Sequence, residues 1–229
     1  TQPSVAAQLR FEDESAAWGL DMKYDNGDDL QVRGIRIYQT YGGGAAVLDY
    51  DQDGWPDLYL PQAGGKPLDN QGKKANQLLH NRDGQRFDTS QNQAHVDNRS
   101  FGQGVAVGDW NQDGFPDLYV ANFGSNTLWE NQGDGTFLQL SIAGVTDRPE
   151  KWTTSVAIAD INGDLLPDLI EINYAEPIKA LEVHCRDSFG EITCNPWEYA
   201  GDVDKIFLND GQGGFRAPEP QTWKAWDLL

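Results

Sequence analysis

The chain has 229 residues, with 17 Lys and Arg against 36 Asp and Glu, so its formal charge is −19. Such a surface repels phosphate backbones and anionic lipid headgroups, and we therefore expect neither nucleic-acid binding nor insertion into a membrane. The 8 Trp, 8 Tyr and 9 Phe supply enough apolar surface for a core, which argues against intrinsic disorder.

One sequence segment recurs three times and is followed each time by a second recurring block. The first segment holds an acidic loop between two short apolar runs, and in the second block an Asn and a Phe lie six positions apart. The segment occupies residues 44–60, 104–120 and 155–171, and the block occupies residues 78–87, 128–137 and 206–215. The apolar runs are rich in Val, Leu, Tyr and Phe and are bounded by Gly, Asn, Asp and Pro, which is typical of short strands. No window sustains a helical apolar period, so we predict an all-β chain.

Without inserts the repeat has a period of about 50 residues, which suits a propeller blade of four short strands. Two inserts, residues 20–40 and 172–203, lengthen the first and third units. We predict a single domain over residues 1–229, a β-propeller or part of one, with about three to four four-stranded blades. The segment that begins at Phe11 resembles the one that follows Phe137, so we expect it to form an outer strand before the first loop.

Each acidic loop follows the pattern Asp-x-Asp/Asn-x-Asp-Gly-x-x-Asp, with side-chain oxygens at positions 1, 3, 5 and 9 and a main-chain carbonyl at position 7. A hard divalent cation with several oxygen ligands fits such a loop, and the loop contains no soft ligand that would select zinc or copper. We therefore predict about three calcium ions, one for each loop. The predicted ligands are Asp49, Asp51, Asp53, Trp55 and Asp57 in the first loop, Asp109, Asn111, Asp113, Phe115 and Asp117 in the second, and Asp160, Asn162, Asp164, Leu166 and Asp168 in the third, with Trp55, Phe115 and Leu166 acting through their carbonyls.

Two alternatives compete with calcium-binding blades. An EF-hand loop opens in the same way, but it requires a bidentate Glu at position 12 and flanking helices. Position 12 is Leu60 in the first loop and Val120 in the second, and although Glu171 fills it in the third, the flanking runs are short and β-like. The loops could instead be solvated Asp-Gly turns without an ion. Carboxylates crowded into such short loops repel one another strongly unless a cation is bound, which disfavours this reading.

The third loop departs from the pattern because Leu165 replaces the Gly at position 6. A non-Gly residue with positive φ costs roughly 1 to 2 kcal/mol. We expect either this strain or a transfer of the bend to Gly163, and hence an altered or weaker third site.

The two cysteines, Cys185 and Cys194, lie nine positions apart with Gly190 between them. A disulfide can close this spacing, and we predict one. Two reduced thiols remain an alternative, and metal ligation together with His184 is a weaker one.

The chain offers little for catalysis. None of its three histidines lies beside a recognisable nucleophile, and Gly-x-Ser-x-Gly is absent. Several aromatic residues outside the repeated strands either fill gaps between blades or stack on sugars, and we favour packing. These residues are Trp152, Trp197, Tyr199, Trp223 and Trp226.

The repeats resemble a known family. The segments that begin at Tyr41 and Phe101, the acidic loops and the Asn-x-Gly-Asp-Gly-Thr-Phe block ending at Phe137 resemble FG-GAP/VCBS repeats, the units of integrin α-type β-propellers. The insert around Cys185 and Cys194 is similar to that of the cartilage-acidic-protein group associated with ASPIC/UnbV domains. The resemblance implies calcium on the blade hairpins, a secreted, periplasmic or cell-surface location, and a partner bound on one face, as in cell adhesion.

We therefore expect a non-catalytic, calcium-binding propeller module that binds a protein or glycan partner. The alternative is the propeller portion of a calcium-dependent polysaccharide lyase. Three repeats are too few to close a ring easily. We also expect further blades, supplied by another chain or by the rest of a longer chain.

Overall fold

The computed structural model describes residues 10–27, 34–64, 67–68 and 72–218. Within these ranges the chain forms short strands, one short α-helix and two 3₁₀ turns. The strands are β1 Ala46–Leu48, β2 Asp57–Leu60, β3 Gln77–Arg82, β4 Arg86–Thr89, β5 Phe101–Gly108, β6 Asp117–Phe123, β7 Thr127–Asn131, β8 Phe137–Leu140, β9 Thr153–Ala159, β10 Asp168–Asn173, β11 Cys185–Asp187, β12 Gly190–Ile192, β13 Lys205–Asn209 and β14 Phe215–Arg216. The helix α1 is Pro177–Glu182, and the 3₁₀ turns are Ile37–Thr40 and Pro196–Glu198.

The strands form three four-stranded antiparallel sheets, one for each sequence repeat. Sheet 1 has the order β1-β2-β3-β4, sheet 2 the order β5-β6-β7-β8, and sheet 3 the order β9-β10-β13-β14. The strands β11 and β12 pair as a separate hairpin between β10 and β13. The prediction of an all-β array of four-stranded blades is confirmed.

The first strands of the three sheets lie side by side, β1 next to β5 and β5 next to β9. Two glycines allow this close approach. A Cβ added to Gly104 would lie 2.8 Å from the carbonyl oxygen of Thr154, and one added to Gly44 would lie 3.0 Å from the Cα of Gly104. The sheets therefore radiate from a shared inner edge like propeller blades, and in the described part of the chain they do not close into a ring.

The core fills the two spaces between the sheets. Because side chains alternate along a strand, β6 contributes to both spaces. Leu118 and Val120 pack with Tyr59 between sheets 1 and 2, whereas Tyr119 packs with Leu169 between sheets 2 and 3. All five side chains are completely buried. This alternation explains why β6 is apolar on both faces.

A third apolar cluster joins the two inserts to the ends of the sheets. It contains Phe101, Phe123 and Trp152 from the blades, together with Ile37 from the first insert and Ala180 from the second. Phe101 pairs with Phe123 at the end of β5 and β6 that is opposite to the acidic loop. The inserts and the acidic loops therefore occupy opposite ends of the molecule.

The inserts also contact each other. The amide of Ile35 donates to Oγ1 of Thr193 at 3.4 Å, and Arg36 lies 3.9 Å from Glu191. Trp152 is fully buried, as the preference for packing predicted, but Trp197 is 91% exposed. The other two tryptophans singled out from the sequence lie outside the described residues, at positions 223 and 226.

The outer strand expected from Phe11 onward is not formed. The segment makes a turn instead, because the amide of Ser15 donates to the side chain of Asp13 and the amide of Trp18 donates to the carbonyl of Glu14. Its link to sheet 1 is the amide of Phe87, which donates to the carbonyl of Trp18 at 2.8 Å. No helix in the described ranges is long and apolar enough to cross a membrane.

Candidate metal centre

The three acidic loops occupy equivalent places at one end of the blades. Each loop joins the first strand of its sheet to the second, and its ninth residue is the first residue of that second strand. These ninth residues are Asp57, Asp117 and Asp168. The structure therefore places all predicted ligands of one loop in one hairpin. The equivalent hairpins of the other loops lie on the adjoining blades.

The first carboxylate of each loop shapes the turn. In the first loop, Oδ1 of Asp49 accepts from the amide of Asp53 at 3.1 Å, and Oδ2 accepts from the amide of Gly54 at 2.9 Å. The second loop repeats both bonds through Asp109, and Asp160 accepts two loop amides in the third. The acidic pattern thus determines the local conformation as well as the charge.

Two positions in every loop have left-handed backbone. Position 4 is Gln52 with φ 57° and position 6 is Gly54 with φ 90°, and the second loop matches these values closely. In the third loop, Gly163 has φ 81° and Leu165 has φ 70°. Of the two alternatives expected from the sequence, strain at Leu165 is confirmed, whereas a transfer of the bend to Gly163 is not, because every loop has positive φ at both positions. In the third loop the glycine stands at position 4 instead of position 6. The exposed Leu165 at position 6 therefore carries the strain of a positive φ.

The ninth carboxylate is completely buried and holds the second strand to the third. Oδ2 of Asp57 accepts from the amide of Tyr50 at 3.2 Å, and Oδ1 accepts from the amide of Asn81 at 2.7 Å. The same pair of bonds recurs at Asp117 and Asp168.

Burial disfavours the charged form of these carboxylates. It raises the pKa of Asp57 to about 6 and that of Asp117 to about 7, although the hydrogen bonds from backbone amides oppose the shift. A bound cation would favour the ionised form and so lower both pKa values. A cation bound near Asp57 and Asp117 would therefore stabilise the charged form that burial disfavours.

The recurring Asn of the second block has a role that sequence reasoning missed. Nδ2 of Asn131 donates to the carbonyl of Pro116 at 3.2 Å in its own loop and to the carbonyl of Tyr50 at 2.8 Å in the preceding one. Asn209 makes the equivalent bonds between the third loop and the second. Its constant spacing of six residues from the Phe of the same block was the available signal.

Two glutamines at position 4 also link successive loops. Nε2 of Gln52 donates to the carbonyl of Gly114 at 2.8 Å, and Nε2 of Gln112 donates to the carbonyl of Leu165 at 2.6 Å. Each bond runs from position 4 of one loop to position 6 of the next. The third loop has Gly163 at position 4 and therefore cannot extend the series through a side chain.

The donor set of the first loop fits a hard divalent cation. Carboxylate oxygens of Asp49, Asp51 and Asp57 lie within 4.8 Å of one another. Oδ1 of Asp51 is buried and has no hydrogen-bond partner among the described residues. A buried carboxylate oxygen without a partner is costly, so a bound cation would relieve it.

The second and third loops differ because position 3 is Asn. Nδ2 of Asn111 donates to Oδ2 of Asp113 at 2.9 Å, and Asn162 makes the same bond to Asp164. These bonds place the predicted ligands at positions 3 and 5 side by side.

The side chain at position 7 of each loop packs against a glycine of the second block. The ring of Trp55 lies against Gly84, Phe115 lies against Gly133, and Leu166 approaches Gly211. These glycines follow the recurring Asn of the second block, and larger residues there would collide with the side chain at position 7. Ligation through the carbonyls of Trp55, Phe115 and Leu166 stays a prediction.

The structure joins Cys185 and Cys194 in a disulfide, with their Cα atoms 5.1 Å apart. The bond closes the β11–β12 hairpin of the second insert, at the opposite end from the acidic loops. Nδ1 of His184 lies 3.3 Å from a carboxylate oxygen of Glu191. The structure thus has the predicted disulfide, which uses both sulfurs that reduced thiols or a Cys-His metal site would require.

Comparison with known proteins agrees with this architecture. The chain is 34% identical to cartilage acidic protein 1 of Homo sapiens over 122 residues, which are 52% of this chain and 18% of the human protein. It is 34% identical to cartilage acidic protein 1 of Mus musculus over the same length, which is 19% of the mouse protein. The chain thus matches about a fifth of each of these relatives. The sequence profile described as an FG-GAP-like repeat matches residues 49–120 and 109–170. Together with the three blade-like sheets, these matches show that the chain belongs to the FG-GAP-like repeat family.

Proposed function

We propose that the chain is a non-catalytic β-propeller module that binds about three calcium ions at its acidic loops and a protein or glycan partner elsewhere. The observation that carries the calcium proposal is Oδ1 of Asp51, which is buried without a partner beside the carboxylates of Asp49 and Asp57. All side-chain ligands within the loops are oxygens, which is the preference of calcium.

Charge supports the same proposal. The formal charge of the chain is −19, and the acidic loops concentrate part of it at one end. Three divalent cations would add six positive charges there. Because each ion binds residues from both sides of one hairpin, ion binding would stabilise the folded state over the unfolded chain.

Thermal unfolding with calcium and with EDTA tests this proposal. A ligand at a hundred times its Kd stabilises by about 2.7 kcal/mol for each site, which raises the Tm of a chain of this size by roughly 5 to 10 °C. A variant with Asp53→Asn, Asp113→Asn and Asp164→Asn should lose most of the shift. The matched control neutralises three exposed acids outside the loops, Asp97, Glu182 and Glu198, and should keep it. An identical Tm in calcium and in EDTA would show that the loops bind no calcium.

We also propose that the module works in an oxidising compartment, as a secreted, periplasmic or cell-surface protein. The disulfide between Cys185 and Cys194 supports this, because such bonds persist outside the reducing cytosol. Mass spectrometry of the protein alkylated without reduction, taken from its native source, tests the pairing. Two alkylated cysteines would contradict the proposed compartment.

The insert end is the proposed site for the partner. Phe189 and Trp197 of the second insert are 83% and 91% exposed. Exposed aromatic residues of this kind are common where proteins bind proteins or sugars. Tryptophan fluorescence, followed during titration with a panel of extracellular polysaccharides, tests the glycan class, with Trp197→Phe as the control. A lyase would instead release unsaturated sugar ends from acidic polysaccharides in the presence of calcium.

Further blades complete the proposed propeller. The array of sheets is open in the described part of the chain, and Ile172 on sheet 3 is 43% exposed. Apolar blade faces are normally covered by neighbouring blades. Sedimentation of the 229-residue chain, combined with binding of a hydrophobic dye, tests this. A compact monomer that binds no dye would contradict it.

A further inference from the structure

The first loop has a histidine beside its carboxylates, and the other two do not. His80 is presented by β3, one residue before Asn81, and is only 9% exposed. Its Nε2 lies 3.2 Å from Oδ2 of Asp53 and 3.5 Å from Oδ2 of Asp51. The residues in the equivalent places on β7 and β13 are Glu130 and Leu208.

Hydrogen bonding alone does not satisfy this group. One imidazole N–H can serve one of the two carboxylates at most, because a neutral ring carries a single proton. In the other loops the Asn at position 3 donates to the Asp at position 5. In the first loop position 3 is Asp51, whose carboxylate has no N–H to donate to Asp53. Oδ1 of Asp51 has no partner among the described residues. The first loop therefore combines an unpartnered oxygen of Asp51 with an imidazole nitrogen that lies 3.5 Å from the other oxygen of the same carboxylate.

The distances suit a shared metal ion. Donors bound at about 2.1 Å lie roughly 3.0 Å apart in octahedral geometry and roughly 3.4 Å apart in tetrahedral geometry. The separations from Nε2 to the two carboxylate oxygens, 3.2 and 3.5 Å, are close to this range. Nδ1 of His80 lies 3.5 Å from the hydroxyl of Tyr50 and can donate its proton to the hydroxyl oxygen, and in that tautomer the unprotonated Nε2 faces the loop.

We propose that the first loop binds a first-row transition-metal ion, such as Mn²⁺ or Zn²⁺, through Nε2 of His80 and carboxylate oxygens of Asp51 and Asp53. An imidazole nitrogen favours these metals over calcium, which prefers oxygen ligands alone. The proposal goes beyond calcium binding and does not depend on it. Because Asp51 belongs to both groups of candidate ligands, the transition metal competes with calcium at the first loop only.

Cobalt titration of the full chain tests the proposal, because the visible absorption of Co²⁺ changes when protein ligands replace its water and Zn²⁺ displaces the bound Co²⁺. We expect one Co²⁺ bound in competition with Zn²⁺. His80→Leu, which installs the residue of the third blade, should weaken binding at least tenfold. Glu130→Leu in the second blade is the matched control and should bind as the wild type does, and His184→Gln excludes the exposed histidine next to Glu191. Calorimetric calcium titration of the same proteins shows separately whether the calcium proposal holds.

A gain-of-site variant keeps the test decisive if His80→Leu unfolds. Asn111→Asp combined with Glu130→His copies the group of the first loop onto the second blade, and we expect the Co²⁺ stoichiometry to rise from one to two. Equal Co²⁺ affinity in the wild type and in a folded His80→Leu variant would overturn the proposal. An unchanged stoichiometry in the gain-of-site variant would overturn it as well.

Discussion

Glu171 is the residue whose substitution tests the packing of sheets 2 and 3 most directly. It fills position 12 of the third loop, where an EF-hand would use it as a ligand. In the structure it is completely buried between the sheets and pairs with Arg148. It also accepts hydrogen bonds from the hydroxyl of Tyr119 and, at 2.8 Å, from Nδ2 of Asn126. Glu171→Gln keeps the shape of the side chain and removes its charge.

We expect Glu171→Gln to lower the free energy of unfolding by about 3 kcal/mol. Removing one partner of a buried ion pair costs about 3 to 5 kcal/mol, because the other charge stays buried without compensation. The lower value applies because the side chain of Arg148 is 16% exposed and water can reach it. With a urea slope of about 2 to 3 kcal/mol/M, the unfolding midpoint should fall by about 1 M or more.

The control for this substitution is Glu176→Gln. Glu176 pairs with Lys179 on the surface, where both side chains are about half exposed, and such pairs contribute under about 0.5 kcal/mol. Combining Glu171→Gln with Arg148→Met removes both charges, so the double variant should lose less than the sum of the two single variants. A loss under about 1 kcal/mol for Glu171→Gln, or additive losses in the double variant, would refute the reasoning.

Three further variants test other parts of the molecule. Gln112→Ala removes the bond from the second loop to the carbonyl of Leu165 and should cost about 1 kcal/mol in urea unfolding; an unchanged midpoint would show that the link is not stabilising. Leu165→Gly relieves the strain of a positive φ at a residue that is 78% exposed, and it should stabilise the folded state by up to about 1 kcal/mol. The gain is limited because Gly makes the unfolded chain more flexible. A lower urea midpoint would contradict this. Replacing both Cys185 and Cys194 by Ser opens a loop of about ten residues and should lower the free energy of unfolding by about 2.7 kcal/mol in the chain-entropy model. The same urea unfolding measures this. A cost near zero would mean that other contacts already hold the insert in place.

The sequence predicted the blades and the loops because the interactions that form them are local. Asp49 accepts the amides of Asp53 and Gly54, which lie four and five positions further along the chain. A recurring pattern of Asp and Gly therefore contains nearly all the information for the turn. The short apolar runs predict strands for the same reason, since side-chain alternation is a property of neighbouring residues.

Similarity in sequence was misleading where no local interaction enforced it. The segment after Phe11 resembles the one after Phe137, yet only the latter is a strand, β8. Asp13 and Ser15 instead form a turn through their own hydrogen bonds. Such side-chain bonds to nearby backbone compete with strand pairing.

By itself the sequence determined the repeat, the all-β fold, the acidic loops and the cysteine pair that could form a disulfide. Only the packed sheets decided which distant residues meet. Asn131 reaches the carbonyl of Tyr50, 81 positions away, and the two inserts meet through Ile35 and Thr193, 158 positions apart. His80 gave no signal in the sequence, because its approach to the first loop depends on how β3 pairs with β2. Contacts of this kind follow from the pairing and packing of whole strands, which no local pattern of residues contains.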